Sequence, residues 1–276
     1  NPNTMPLQPH QRDWLTLTLL PGIGTTHFIR LLARFRTATA VLQASQSALR
    51  EVVGPKLAER IVHYTDAVDI DREERHMAEY GVSLVTLDDN LYPPRLGEIY
   101  DPPLVLYVRG ELLEQDTRSI AIVGTRRATQ YGLRTAERLG RELAANGVTV
   151  VSGMASGIAT AAHRGAIQAG GRTIAVLGCG VDVVYPRENA DLMHAICQHG
   201  CAISQFSMGT KPSRGHFPYR NRIISGMTIG TVVVQGALGS GALITAHQAL
   251  EQGREVFAIP GEIGQAGSEG PHALIR

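Results

Sequence analysis

Val150-Val-Ser-Gly-Met-Ala-Ser-Gly-Ile158 is the stretch on which the reading of this chain turns. Two valines close an apolar run, a loop of small residues follows with Gly153 and Gly157 at its ends, and Ile158-Ala-Thr-Ala-Ala-His163 continues at helical spacing. A strand that runs through a glycine-rich turn into a helix start makes an anion site. The first N–H groups of the helix lack partners, and its dipole adds about half a positive charge there. A tight turn with no ligand is the bland alternative, and the rest of the chain decides between them.

Outward from this stretch the same alternation repeats. Ile120-Ala-Ile-Val123 is an apolar run, and Leu133, Ala136, Leu139 and Leu143 mark a helix that Asn146-Gly147 ends. Downstream, Thr173-Ile-Ala-Val-Leu177, Cys201-Ala-Ile-Ser204, Thr228–Val234 and Glu255–Ile259 read as strands, with helices over 191–197 and 243–252 between them. Val82–Leu87 and Leu104–Val108 add two strands upstream. Alternating apolar strands and amphipathic helices predict an α/β fold, a mostly parallel sheet covered by helices on both faces. Residues 10–64 read instead as short helices broken at Pro21-Gly-Ile-Gly24 and Val53-Gly-Pro-Lys56. This predicts a helical module over residues 1–68 and a sheet domain over 69–276, joined by a solvated helix over Asp66–Arg75. The two glycine turns are loosely like a helix-hairpin-helix unit, whose turn amides hold DNA phosphate.

Composition narrows the function. The chain has 276 residues and a net charge of only +1, so it is no polycation. Yet Arg118, Arg126, Arg127, Arg134, Arg138 and Arg141 are accompanied by Glu137 alone, and Lys211, Arg214, Arg220 and Arg222 by no acid. Local basic clusters on a near-neutral chain point to a defined anionic ligand. Three cysteines make no disulfide framework, no apolar run suits a membrane span, and no signal pattern opens the sequence; cytoplasmic location is the expectation.

Ligands of parallel sheets bind beyond the carboxyl ends of the strands. Four segments fall there: Gly124-Thr125-Arg126, Ser152-Gly153-Met154-Ala155-Ser156-Gly157, Gly178-Cys-Gly180, and Gly236-Ala-Leu-Gly239-Ser240-Gly241. A dinucleotide fingerprint fails because Val183 stands where the third glycine is needed, and no phosphate loop of the GxxxxGK type is present. Hydrolysis calls for paired carboxylates or a nucleophile with a base, and neither is evident at this edge, so no catalytic residue, cofactor or metal is expected. The hexad Phe217-Pro-Tyr219-Arg220-Asn221-Arg222 interleaves aromatics with cations, a pattern suited to stacking bases and holding phosphates of single-stranded nucleic acid. A helix start with Phe217 in the core and paired arginines is the competing reading. If Arg126, Lys211, Arg220 and Arg222 all meet phosphates, binding has a log–log salt slope of about −3.

These motifs, together with Ala162-His163, Gly171–Pro186, Gly241-Ala-Leu-Ile-Thr-Ala246 and Gly253-Arg-Glu-Val-Phe-Ala-Ile-Pro-Gly261, closely resemble the bacterial DNA-processing protein A family, also called Smf, from about Tyr92 onward. The resemblance implies an extended Rossmann-like domain behind a SAM-like helical module. It also implies a homodimer that binds single-stranded DNA, protects it and loads RecA during natural transformation. Carried onto this chain, the DNA-contacting positions are Arg126, the 152–157 loop, the basic hexad with Lys211, and the 239–241 loop. Three departures stand out: Ala159, Gln205 and Gln235 replace acids common in the family. A nucleotide-processing hydrolase of related fold is the alternative, and Gln235 with Gly236–Gly241 departs from the loop and glutamate such enzymes use. Many members also carry a C-terminal winged-helix domain; the sequence ends at Ile275-Arg276.

Overall fold

In the computed structural model, residues 6–276 are described; residues 1–5, the start of the expected helical module, lie outside the described residues. Seven helices come first: α1 (Pro9–Leu19), α2 (Thr25–Phe35), α3 (Ala38–Gln43), α4 (Gln46–Val53), α5 (Pro55–Val62), α6 (Tyr64–Ala67) and α7 (Ile70–Glu79). Their breaks are chemical. Ser45 and Thr37 cap α4 and α3 through side-chain oxygens, and Gly54 at positive φ turns the chain between α4 and α5.

The sheet follows: β1 (Val82–Thr86), α8 (Pro94–Gly97), β2 (Val105–Gly110), β3 (Ser119–Val123), α9 (Gln130–Ala145), β4 (Thr149–Ser152), α10 (Ile158–Gln168), β5 (Thr173–Val176), α11 (Ala190–His199), β6 (Gly200–Ser204), α12 (His216–Gly226), β7 (Gly230–Val233), α13 (Gly241–Glu251), β8 (Glu255–Ala258) and α14 (Ala266–Ile275). Eight strands lie in the order β1-β2-β6-β5-β4-β3-β7-β8. Pairing is parallel from β6 to β8 and antiparallel at β1–β2 and β2–β6. The chain winds from β3 outward through β4, β5 and β6, then returns to the other side of β3 for β7 and β8. The switch point therefore lies between β3 and β7, and doubly wound sheets bind ligands beyond the strand ends at that point.

Successive residues of the central strands enter opposite cores, as the two-residue period demands. Val150, Ile122 and Val232 pack with α9 and α10, whereas Val151, Ala121, Val123 and Val233 pack with α12 and α13. The helical module is not set apart from the sheet: Trp14, Leu15, Phe28 and Leu31 share one apolar cluster with Val82, Tyr107, Leu177 and Ile196. The helix expected to be merely solvated is α7, and it is a bolt. Its Glu73 accepts from Tyr107 Oη (2.8 Å) and Met208 N (2.8 Å), Asp71 and Glu74 pair with Arg12 of α1, and His76 Nε2 lies 3.2 Å from Asp182. Residues His272–Ile275 end α14, which hydrogen-bonds back through Gly270 N to Gly236 O (2.9 Å).

Candidate nucleic-acid interface

A cleft of about 440 Å³ opens at the switch point. Its walls are Gly124–Arg127 after β3, Ser152, Gly153, Ala155 and Ala159 around the start of α10, Ser240–Ala242 at the start of α13, and Phe217, Arg220 and Asn221 of α12. The last three recur at i, i+3 and i+4, one helix face. Tyr185, Pro186 and Gly178 line a smaller recess that shares Arg126, Phe217 and Arg220.

Arg220 is the unusual group. Its side chain is buried, Nη1 donates to Gly153 O (3.0 Å) and to Val176 O, and Nε donates to Asn221 Oδ1 (3.1 Å). Among the described residues no carboxylate pairs with it. Burial pulls its pKa down to about 10, and the Arg126 charge pushes the same way. Arg126 is exposed and has no ion pair among the described residues; its guanidinium lies 5.3 Å from the Phe217 ring centroid and that of Arg220 lies 5.8 Å away. Two cations on one ring, with no acid in the cleft lining, make a strongly electropositive site. The start of α13 faces it too. Its cap residue, Ser240, makes no capping hydrogen bond, and Ser240 Oγ is buried without a partner among the described residues.

Besides lining the cleft, the 152–157 loop uses its glycines for close packing. A Cβ on Gly153 would lie 2.5 Å from Arg220 Nη1, and one on Gly157 would lie 2.5 Å from Thr125 O. These glycines admit the arginine and the neighbouring loop, and Thr125 O accepts from Ile158 N (3.2 Å), the first N–H of α10. Met154 is fully buried at φ 56°, with its N–H donated to His163 Nε2 (3.3 Å) and its carbonyl accepting from Asn189 Nδ2 (2.9 Å). His163 Nδ1 faces Thr173 Oγ1 (2.7 Å), which donates to Val150 O (2.8 Å). Burial first, then the Arg220 charge, lowers the His163 pKa to about 3, so the ring stays neutral and accepts at Nε2. Ser152 Oγ donates to Ile122 O (2.6 Å) and Ser156 Oγ to Glu188 (3.2 Å).

The hexad is split by its helix. Tyr219 and Arg222, three residues apart, face the side of α12 away from the cleft, and Lys211 is exposed and lines no part of it. Gly239 is exposed at φ 73° in the turn before Ser240. Sequence reasoning passed over Arg127 as a lining residue, and over Asn189 beneath the loop. Of the three departures from the family pattern only Ala159 lines the cleft. Gln235 is buried under the first loop, accepting from Thr129 N (3.0 Å) and donating to Thr129 Oγ1 (2.8 Å), and Gln205 accepts from Arg222 Nη2 (2.8 Å).

Fold and cleft together define a doubly wound, Rossmann-like protein with an arginine-lined cleft, free of carboxylates in its lining, at its switch point. The sequence model of the family described as DNA recombination-mediator protein A matches residues 83–276, and the chain belongs to that family. It is 46% identical over 199 residues to DNA processing protein DprA of Bacillus subtilis, covering 72% of this chain and 67% of that one. The crystal structure of DNA processing protein A from Streptococcus pneumoniae superposes with a TM-score of 0.85 at 32% identity, over 98% of this chain and 93% of the other. That of the Helicobacter pylori protein, described by its single-stranded DNA binding mode, gives 0.64 at 31% identity, over 70% and 86%. The chain spans between about half and two thirds of the length of the curated relatives it matches. No helix among the described residues is long and apolar enough to cross a membrane.

Proposed function

We propose that this chain is a non-enzymatic recombination mediator that binds single-stranded DNA in the switch-point cleft, with a backbone phosphate between Arg126, Arg220 and the start of α13. One observation carries the reading: a buried guanidinium held only by neutral oxygens, at a cleft whose lining holds three arginines and no carboxylate. A bound phosphate supplies the missing counter-charge. Phe217, already under two cations, offers a stacking face to a base. The absence of a carboxylate or an activated nucleophile among the lining residues favours binding over hydrolysis of nucleotides.

In the cell, the reading is protection of incoming strands and RecA loading during transformation. A homodimer through the C-terminal part of the sheet is part of it, because β8 is an edge strand with Phe257 exposed and Ile263 nearby is 96% exposed. Sedimentation as a dimer at micromolar concentration is the expected result. For DNA, three cleft arginines, with Lys211 and Arg222 elsewhere, revise the expected salt slope to about −2. Titration of single and double strands at two salt concentrations tests this. Single strands bind at least about tenfold tighter at both, because duplexes hide the stacking faces. Equal affinities, or a slope near zero, would overturn the reading.

A further inference from the structure

The two hexad residues turned away from the cleft have a groove of their own. Tyr219 and Arg222 line a space of about 320 Å³ between α12 and the helical module, closed by Gly24 and Thr25 at the start of α2, by Asp101, and by Gln205 and Phe206. Arg222 is 9% exposed. Its Nη2 serves Gln205, while its Nε and Nη1 and Gln205 Nε2 are buried donors with no partner among the described residues. Leaving such groups unmade is costly, so they mark a place where an acceptor belongs. The Tyr219 ring lies against the guanidinium, its centroid 4.0 Å from the guanidinium carbon, and Tyr219 itself is 46% exposed.

The groove also holds an acid. Asp101 accepts from Thr25 Oγ1 (2.6 Å) and Tyr219 Oη (3.0 Å) and lies 3.5 Å from Arg222 Nη2. A carboxylate opposes a phosphate here. It suits the edge of a nucleobase, which presents N–H donors beside carbonyl and ring-nitrogen acceptors. Aromatic rings connect the groove with the cleft around the first turn of α12. Tyr185 stacks on Phe217 (5.6 Å), His216, the residue before Phe217, stacks on Phe206 (4.2 Å), and Phe206 lies 6.5 Å from Tyr219.

We infer that this groove is a second subsite for single-stranded DNA: a base leaving the cleft stacks on Tyr219, and its edge meets Arg222, Gln205 and Asp101 once the Tyr219 ring swings aside. The inference rests on the cleft being the primary DNA site, and it extends the footprint onto the helical module at the Pro21–Gly24 turn. Fluorescence anisotropy with oligonucleotides of about 4 and about 16 nucleotides, the span of single-strand site sizes, tests it. For Tyr219→Ala, affinity for the short oligonucleotide is unchanged and affinity for the long one falls at least about fivefold, the loss of one stacked base. Tyr219→Phe, which keeps the ring, retains the long-oligonucleotide affinity. An equal loss for both lengths would place Tyr219 at the cleft, and no loss for either would remove the subsite; both overturn the inference. Arg126→Ala run beside them weakens both lengths, and its failure to do so would fault the cleft reading instead.

Discussion

Arg172 and Arg220 stand at opposite ends of one strand, β5, and their surroundings differ in one respect. At the amino end, Arg172 donates through Nε and Nη2 to buried Asp116 (2.7 and 2.8 Å), and Asp116 also accepts from Thr149 Oγ1 (2.7 Å) and Leu113 N (2.8 Å). At the carboxyl end, Arg220 has carbonyls and an amide oxygen, and no acid. A half-buried cation with its counter-ion built in is structure, and a buried cation without one is the feature on which the proposed site rests, since a ligand can supply the missing charge. The same contrast runs across the molecule: Arg12 of α1 is paired with Asp71 and Glu74 of α7, and Glu73 of α7 accepts from Tyr107 of β2, while Arg126, Arg127 and Arg220 of the cleft have no ion pair among the described residues.

The largest effect expected from this contrast is at the amino end. Asp116→Leu removes the acceptor of half-buried Arg172 and of the buried Thr149 hydroxyl and costs about 3 kcal/mol of stability, read by chemical denaturation, while the folded protein binds single-stranded DNA as before. Arg126→Ala is the mirror case: binding weakens by about 1.5–3 kcal/mol, and the melting curve does not move. A smaller effect tests what holds the loop between the two ends. His163 has a folded pKa of about 3 against an ordinary 6.5, so the unfolded chain binds the extra proton. Stability contributed by the neutral ring is full above pH 6.5 and is lost as pH falls toward about 3. His163→Gln shallows that part of the stability–pH curve; an unchanged curve would mean that another group titrates there.

The sheet was legible because each strand is a short apolar run and each helix a periodic one, both local signals. Glycines at strand ends likewise marked the binding edge. Strand order was not legible, since pairing of β3 with β7 joins segments about a hundred residues apart, and so the 152–157 loop looked central when the switch point lies beside Gly124 and Ser240. The hexad read as one surface because the helix start there was only the competing reading, and Gly215 before it offers no side-chain cap to fix the helix. Once the helix is placed, its period sends Phe217, Arg220 and Asn221 one way and Tyr219 and Arg222 the other. Gln235 and Gln205 stood out in the sequence only as replacements of acids common in the family. They are amides that fix Thr129 and Arg222, roles that no sequence pattern distinguishes.

Arg220→Met puts the central claim to its most direct test, because it separates the two meanings of a buried charge. Affinity for single-stranded DNA and thermal stability are measured on the same preparation. If Arg220 awaits a phosphate, binding falls by about 1.5–3 kcal/mol, and the melting temperature is unchanged or higher, since an apolar side chain of similar length relieves an uncompensated buried cation. Undiminished DNA binding by a variant that melts lower would contradict the account, making Arg220 a structural strut and the cleft something other than the DNA site.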